Sequence, residues 1–457
     1  MKFIINKVKS YSELLNVLII LSIISLSLTS SLSGSRLKRS YGNSRSETRT
    51  KRMKNDLDNL NLLSNDISKD FDISIAKNFR YFAGLGYVDS NSATEQINEI
   101  ETAERIEKTK VSYLFRVLFE IQKWKHIKTK TYRADADDYC FTIIEKKEYK
   151  KMIFSFSGTK TTKQLVKEGL NSDGVSYNEQ KPYIKIMKYF FELYGKIKTD
   201  LKRYFNDNKH PDITQYIFTG HSLGGAIASV ALFDFMEEGL ITKTDISPVL
   251  ITYGQPRAGN YAFANELVKN VPILYRFYNN HDFVGSVPAC HVENDRCISE
   301  FGKTELDEGY NNYQNDYNQL SDSVKNKFYP FHTSGLIFIK GDTKETVLNC
   351  SRKSELAPHD ECKGEILFNF EFHTVYFGYQ ISNMGNPTIY PYDGNFTKQK
   401  DGRDIVKFTK TKTFDGLEAA RNEHSLRNTA INTVTAGVQT MLKKTGLSHV
   451  KKFKKWL

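Results

Sequence analysis

Apolar and polar positions along this chain change period several times, and each change marks an element. Phe71 to Lys128 reads mainly as helix, and "YLFRVLFEIQKWK" (Tyr113–Lys125) is its clearest amphipathic stretch. "YCFTIIEKKEYKKMIFSFSG" (Tyr139–Gly158) predicts two strands with a charged connection. "YIKIMKYFFELYGKIKTDLKRYF" (Tyr183–Phe205) places apolar residues three and four apart and predicts a long helix. Ile213 to Thr219 predicts a strand, and Ala226 to Met236 predicts a mostly buried helix that ends before Gly239. "PVLITYG", "YAFANELVKN" and "ILYRFYNN" then read as strand, helix and strand. Short apolar strands alternating with helices imply an α/β fold, with a mostly parallel central sheet covered by helices on both faces. No internal repeat is visible.

One turn carries chemistry. Between the strand ending at Thr219 and the helix from Ala226 lie Gly220, His221, Ser222, Leu223 and Gly224. A sharp strand-to-helix turn strains its central residue and crowds the positions two before and two after it. Glycine stands at both of those positions, and Gly225 permits close approach of helix to sheet. The hydroxyl of Ser222 would stand at the carboxyl edge of the sheet. The amide of Leu223 would lie at a helix N-terminus, where developing negative charge is favoured. His221 points away from the hydroxyl in such a turn and reads as packing.

A serine hydroxyl needs a base to take its proton and a carboxylate to orient that base. On a sheet of this kind the order along the chain is serine, acid, histidine. In "ILYRFYNNHDFVGSVP" Asp282 lies in a polar turn just beyond an apolar strand, with an ordinary turn aspartate as the structural alternative. Asp245 precedes its strand, and Asp295 sits in a charged, cysteine-flanked loop. Six histidines follow Asp282, and the base should lie after the last strand and ahead of a final helix. His332 in "YPFHTSGLIFIK" leads into a further strand and reads as a buried structural histidine. His373 precedes a predicted packed helix, Val375 to Ile381, and is the candidate base. A second oxyanion amide is expected at the end of "MIFSFSGTK", where Gly158 permits a tight turn and Thr159 offers an amide and a hydroxyl.

Charge and termini set the wider frame. The first 54 residues carry 11 Lys or Arg against two acidic residues, and the last 60 carry 14 against five. The middle is therefore mildly acidic, and a basic core gripping nucleic acid is not indicated. The basic ends read as solvated tails, with peripheral contact to an anionic membrane as the alternative. Lys2, Lys7 and Lys9 precede the apolar run Leu14–Leu28, which suits a secretory signal over residues 1–33. An uncleaved anchor is the alternative. The expected location is outside the cell or in the lumen of the secretory pathway, and a vacuole- or lysosome-like compartment is compatible. Residues 34–72 read as a polar basic linker or pro-segment, with "LKRS" and "TKRM" as processing sites or plain basic stretches. Of five cysteines, local pairing would join Cys290 to Cys297 and Cys350 to Cys362 and leave Cys140 alone, one of three pairings those four allow. Glycosylation sequons stand at Asn349 and Asn395.

Six motifs in order resemble the class 3 (fungal-type) triacylglycerol lipases of the α/β-hydrolase fold. They are "IFSFSGT", "TGHSLGGAIA", "YGQPRAGN" (Tyr253–Asn260), "NNHDFVGSVP", "FHTSG" and "FHTVYFG", and the resemblance spans roughly residues 75–385. Chemistry alone assigns no role to "YGQPRAGN". The resemblance implies carboxylic ester hydrolysis of acylglycerols, with Ser222, Asp282 and His373 as triad and Thr159 and Leu223 supplying oxyanion amides. It implies no metal or organic cofactor, favours a Cys350–Cys362 pair, and makes a lipid or ester at an interface the partner. Oligomeric state is left open. On this reading residues 73–385 form an α/β-hydrolase lipase domain and residues 386–457 a basic C-terminal extension. A phospholipase or general esterase with the same triad is the near alternative, and a silent lipid- or membrane-binding protein the distant one. Two features depart from the family. Ser157 stands where an arginine usually precedes the oxyanion glycine, and "TKQLVKEGL" lacks the usual Asp-Trp pair. That segment still patterns as a small amphipathic helix, with Leu165, Val166, Gly169 and Leu170 on one face, and is a candidate lid.

Overall fold

A sheet of eight strands whose spatial order follows the chain organises the protein. The strands are β1 (Lys125–Ala134), β2 (Asp137–Lys146), β3 (Lys151–Phe156), β4 (Gln215–His221), β5 (Val249–Tyr253), β6 (Ile273–Asn279), β7 (Leu336–Ile339) and β8 (Val347–Cys350). β3 through β7 run parallel, while β1, β2 and β8 add antiparallel edges. The computed structural model describes residues 66–67, 70, 72–103, 110–134, 137–158, 173–279, 282, 284–293, 296–307, 309–339, 347–350, 373–377, 379–388, 394–398 and 404–408. The segment with the candidate lid, Thr159, the pair Cys350–Cys362 as side chains, the leader and most of both basic ends lie outside the described residues.

Each central strand is apolar on both sides, and its alternate residues feed two cores. Ile153, Ile217, Val249 and Ile251 pack toward helices α1 (Ile73–Leu85) and α2 (Ser90–Thr102). Phe154, Phe218 and Leu250 pack toward α3 (Lys188–Asn208), α4 (Leu223–Glu237) and α5 (Tyr261–Asn270). Helices thus cover both faces, and the sheet is that of an α/β-hydrolase fold. Asp72 caps α1 by accepting from the Ser74 amide at 2.8 Å, and Asp89 caps α2 by accepting from Asn91 and Ser92 at 3.0 Å. α4 is buried almost throughout, and its Asp234 carboxylate accepts from the hydroxyls of Tyr194 (2.6 Å) and Tyr177 (2.9 Å).

Three expectations are corrected. Lys125 to Lys128 is not helical: the amphipathic stretch forms one helical turn at Tyr113–Phe115 and a π-helical turn at Arg116–Ile121, and β1 begins at Lys125. The long helix starts at Lys188, because Lys185–Met187 is a short strand. The helix expected from Val375 to Ile381 is instead a tight pairing of Val375–Tyr376 with Tyr379–Gln380, followed by a 3-10 turn. Phe377 has φ of +50°, which no right-handed helix can continue through.

Cys290 and Cys297 form a disulfide around a short hairpin, and Cys140 is buried with its Sγ 3.3 Å from the Thr131 hydroxyl. Among the described residues no helix is long and apolar enough to cross a membrane.

Candidate active site

Ser222 occupies the turn between β4 and α4 with φ +60° and ψ −130°, a region that side chains rarely adopt. The turn is held from both ends. The Ser222 amide donates to the Tyr253 carbonyl at 2.8 Å, and its carbonyl accepts from Gly225 at 2.9 Å. A Cβ at Gly220 would lie 2.3 Å from the Gly224 backbone, and one at Gly224 would lie 2.1 Å from the Phe156 carbonyl oxygen. The spacing of the two glycines is therefore a steric requirement. Leu223 opens α4, so its amide lies in the first turn, where backbone donors have no partner within the helix.

Ser222, Asp282 and His373 come together although they enter from three distant parts of the chain. His373 Nε2 lies 2.7 Å from Ser222 Oγ, and His373 Nδ1 lies 3.1 and 3.0 Å from the two carboxylate oxygens of Asp282. The residues are 1%, 2% and 1% exposed for Ser222, His373 and Asp282, so the array is shut off from water. An ionised Asp282 accepts only, so Nδ1 carries the proton and Nε2 is left to accept from the serine hydroxyl. Asp282 is itself oriented. Its Oδ1 accepts from the Val284 amide at 2.8 Å, and its Oδ2 accepts from the Tyr376 hydroxyl at 3.3 Å. Burial and the Asp282 charge push the Tyr376 phenol well above its ordinary pKa, so it remains a donor.

His332 stands elsewhere. It is buried, and its Nε2 donates to the Gly285 carbonyl at 2.5 Å, bracing the turn that follows Asp282. Arg257 braces the same turn, with guanidinium bonds to the carbonyls of Ser286 (2.6 Å) and Pro288 (2.9 Å).

The "YGQPRAGN" segment now has a physical account. Tyr253 ends β5 and accepts from Ser222. Gly254 has φ +53°, and a Cβ there would lie 2.7 Å from Asp282 Oδ2 and 2.9 Å from the His373 ring. Arg257 braces the aspartate turn, and Asn260 caps α5 by accepting from the Phe263 amide at 3.1 Å. Ser157, standing where the resemblance expects arginine, is 2% exposed; its hydroxyl accepts from the Cys140 amide at 2.7 Å and its amide donates to the Cys140 carbonyl at 2.9 Å. The end of β3 is thus tied to β2 by backbone partners rather than by a charge.

Tyr376, Gly254, Arg257 and His221 were not assigned to the site from sequence. "YGQPRAGN" and the aromatic run after His373 marked the positions of Gly254, Arg257 and Tyr376 without a chemical reason, while His221, inside the serine turn, was read as packing.

The model of the family described as "Lipase (class 3)" matches residues 153–292, from β3 through the Asp282 turn. Over these residues the chain is similar to the class 3 lipase family. A Caenorhabditis elegans lipase is 30% identical over 135 residues, covering 30% of this chain and 37% of that one. A Rhizomucor miehei lipase is 36% identical over 107 residues, covering 23% and 29%. An Arabidopsis thaliana chloroplastic phospholipase A1 is 34% identical over 104 residues, covering 21% and 20%. The chain thus spans between 20% and 37% of the length of these relatives. Among solved structures, the Rhizomucor miehei lipase propeptide complex aligns at 24% identity and TM-score 0.46, covering 67% of this chain and 81% of that one.

Proposed function

We propose that the protein hydrolyses carboxylic esters of acylglycerols through Ser222, His373 and Asp282. The observation that carries this reading is the continuous line from Asp282 through the His373 ring to the Ser222 hydroxyl, within hydrogen-bond reach at both ends. Ser222 Oγ attacks the ester carbonyl as His373 Nε2 takes its proton. Asp282 holds the ring and stabilises its cation. The Leu223 amide, with Thr159 as the second donor, binds the oxyanion. His373 then protonates the departing alcohol. Water, deprotonated by His373 in turn, releases the acyl group as a carboxylate and restores the serine. The family match and relatives named as lipases support the substrate class. Relatives named phospholipase A1 support a second reading, in which the ester is that of a phospholipid.

The protein is also proposed to be exported, on the strength of the apolar leader and of the Cys290–Cys297 disulfide, which suits an oxidising compartment. The test uses exported protein and its Ser222→Ala variant on a short soluble ester, emulsified triacylglycerol and phospholipid vesicles. N-terminal sequencing of the same material reads whether the leader is removed, and an intact Met1 would overturn cleavage. Ser222→Ala is expected to lose on the order of 10⁴-fold or more in turnover. Retained activity in that variant would end the serine mechanism, and phospholipid turnover alone would select the second reading.

A further inference from the structure

A second histidine, which the proposed reaction does not use, is buried against the first. His221 is the last residue of β4, directly before Ser222, and is 1% exposed. Its ring lies 4.6 Å from the His373 ring, centre to centre. Its Nε2 is 2.7 Å from the main-chain carbonyl of His373, and its Nδ1 is 2.6 Å from the Tyr87 hydroxyl. We propose that His221 is a positioning residue for His373: its Nε2–H holds the His373 backbone, and the Tyr87 hydroxyl locks the ring in the tautomer that makes this bond. The inference rests on the hydrolase reading above.

The tautomer follows from the partners. A carbonyl only accepts, so Nε2 must carry the proton. A neutral imidazole has one such proton, so Nδ1 must accept, and the Tyr87 hydroxyl donates to it. Protonation would put a second donor on Nδ1, facing that hydroxyl. Burial, with the neighbouring His373 adding to it, holds His221 well below its ordinary pKa and keeps the ring neutral.

The placement explains why such a residue matters. Ser222 and His373 are 151 residues apart, so their approach is set by tertiary contacts alone. His373 is gripped at its side chain by Asp282 and at its backbone by His221. His221 is covalently next to the nucleophile, so one rigid residue bridges the two reacting groups. Tyr87, in the turn after α1, ties this bridge to the N-terminal helices. A Cβ on Gly158 would lie 1.9 Å from the Tyr87 hydroxyl oxygen, so the same phenol also abuts the residue that leads into the oxyanion turn.

The experiment compares Tyr87→Phe, His221→Phe and His221→Gln with the unmodified protein on a soluble ester, together with the rate of labelling by a fluorophosphonate. His221→Phe is expected to lower kcat by roughly 10²-fold with KM within about twofold, because a misplacement near 1 Å costs about that much. Tyr87→Phe is expected to lower kcat by roughly tenfold. His221→Gln, whose amide can still donate to the His373 carbonyl, should recover most of the loss in both turnover and labelling. Wild-type kcat in His221→Phe, or a Gln variant no better than Phe, would overturn the proposal. A second measurement needs neither variants nor turnover. In histidine-labelled protein, nitrogen shifts of His221 should show a protonated Nε2 and a bare Nδ1 from about pH 5 to 9. A protonated Nδ1 would overturn the assignment. Absence of serine-dependent turnover in the unmodified protein would strike the hydrolase reading, and the nitrogen shifts would still decide this one.

Discussion

Single residues at this site act mostly through what they leave room for or hold still. Gly254 is the clearest case. Its positive φ lets its amide donate to the Phe277 carbonyl at 2.9 Å while its missing side chain admits the Asp282–His373 pair. Alanine there meets both a strained backbone and two catalytic candidates. Gly254→Ala is expected to lower kcat by about 10²-fold and to cost about 1–3 kcal/mol of stability, read by ester turnover and thermal melting. Turnover unchanged from the unmodified protein would refute this role. The requirement was not readable along the chain, because the atoms that crowd Gly254 belong to Asp282 and His373. Gly220 was readable, because the atoms that crowd it belong to Gly224 and Gly225 in the same turn, whereas the atoms that crowd Gly224 belong to Phe156 and Ser157 at the end of β3 and only its place in the turn motif marked it.

At the scale of elements, periodicity located the parallel strands and the helices behind them, and failed where context overrides pattern. β1 reads "KHIKTKTYRA", and its lysines lie on an edge strand, where charge discourages pairing with another chain. Its alternation was hidden by the helical pattern just before it. The segment after His373 is rich in aromatic and β-branched residues, which suit an extended pair as well as a packed helix. The end of β3 shows how an element can replace a familiar support. Ser157 satisfies a buried amide of β2 and thereby fastens the end of β3 to its neighbour. Ser157→Ala leaves the Cys140 amide without that acceptor. It is expected to cost about 1–3 kcal/mol by thermal melting and to lower kcat more than it raises KM. A loss of stability with unchanged kcat would confine Ser157 to a structural role.

Whole-molecule stability combines opposing titrations. Burial, with Lys128 adding to it, pushes His126 down to about 4, and burial pushes His221 and His332 well below their ordinary value. The unfolded chain binds these protons more readily, so each imidazole withdraws stability as pH falls below the unfolded value near 6.5. Glu300 works in the other direction. Burial raises its carboxyl to about 7, against hydrogen bonds from its own backbone and from Asn260 and against the Lys185 charge, and its Oε2 is buried with no hydrogen-bond partner among the described residues. Here the folded state holds the proton more tightly. Its contribution is full below the unfolded value and is lost as pH rises through about 7. Glu300→Gln isolates this term. The variant should match the unmodified protein near pH 5 and exceed it by roughly 1–3 kcal/mol near pH 8, measured by denaturant unfolding at both values. An equal offset at the two pH values would remove Glu300 as the source.

Local sequence was sufficient for whatever depends on neighbours along the chain. Alternating runs carried the α/β class and the parallel core of the sheet, and the glycine spacing around Ser222 carried the strained turn. The order of serine, aspartate and histidine singled out Asp282 and His373. Only the folded chain decided how those three meet, since Asp282 and His373 are 91 residues apart and their spacing depends on how separate strands and turns pack. It alone decided that Tyr376 holds the aspartate, that Gly254 makes room for the pair, and that His221 faces the His373 carbonyl instead of merely filling space. The reason is range: propensity and turn chemistry act over a few residues, whereas a site is closed by side chains that become neighbours only when separate strands pack.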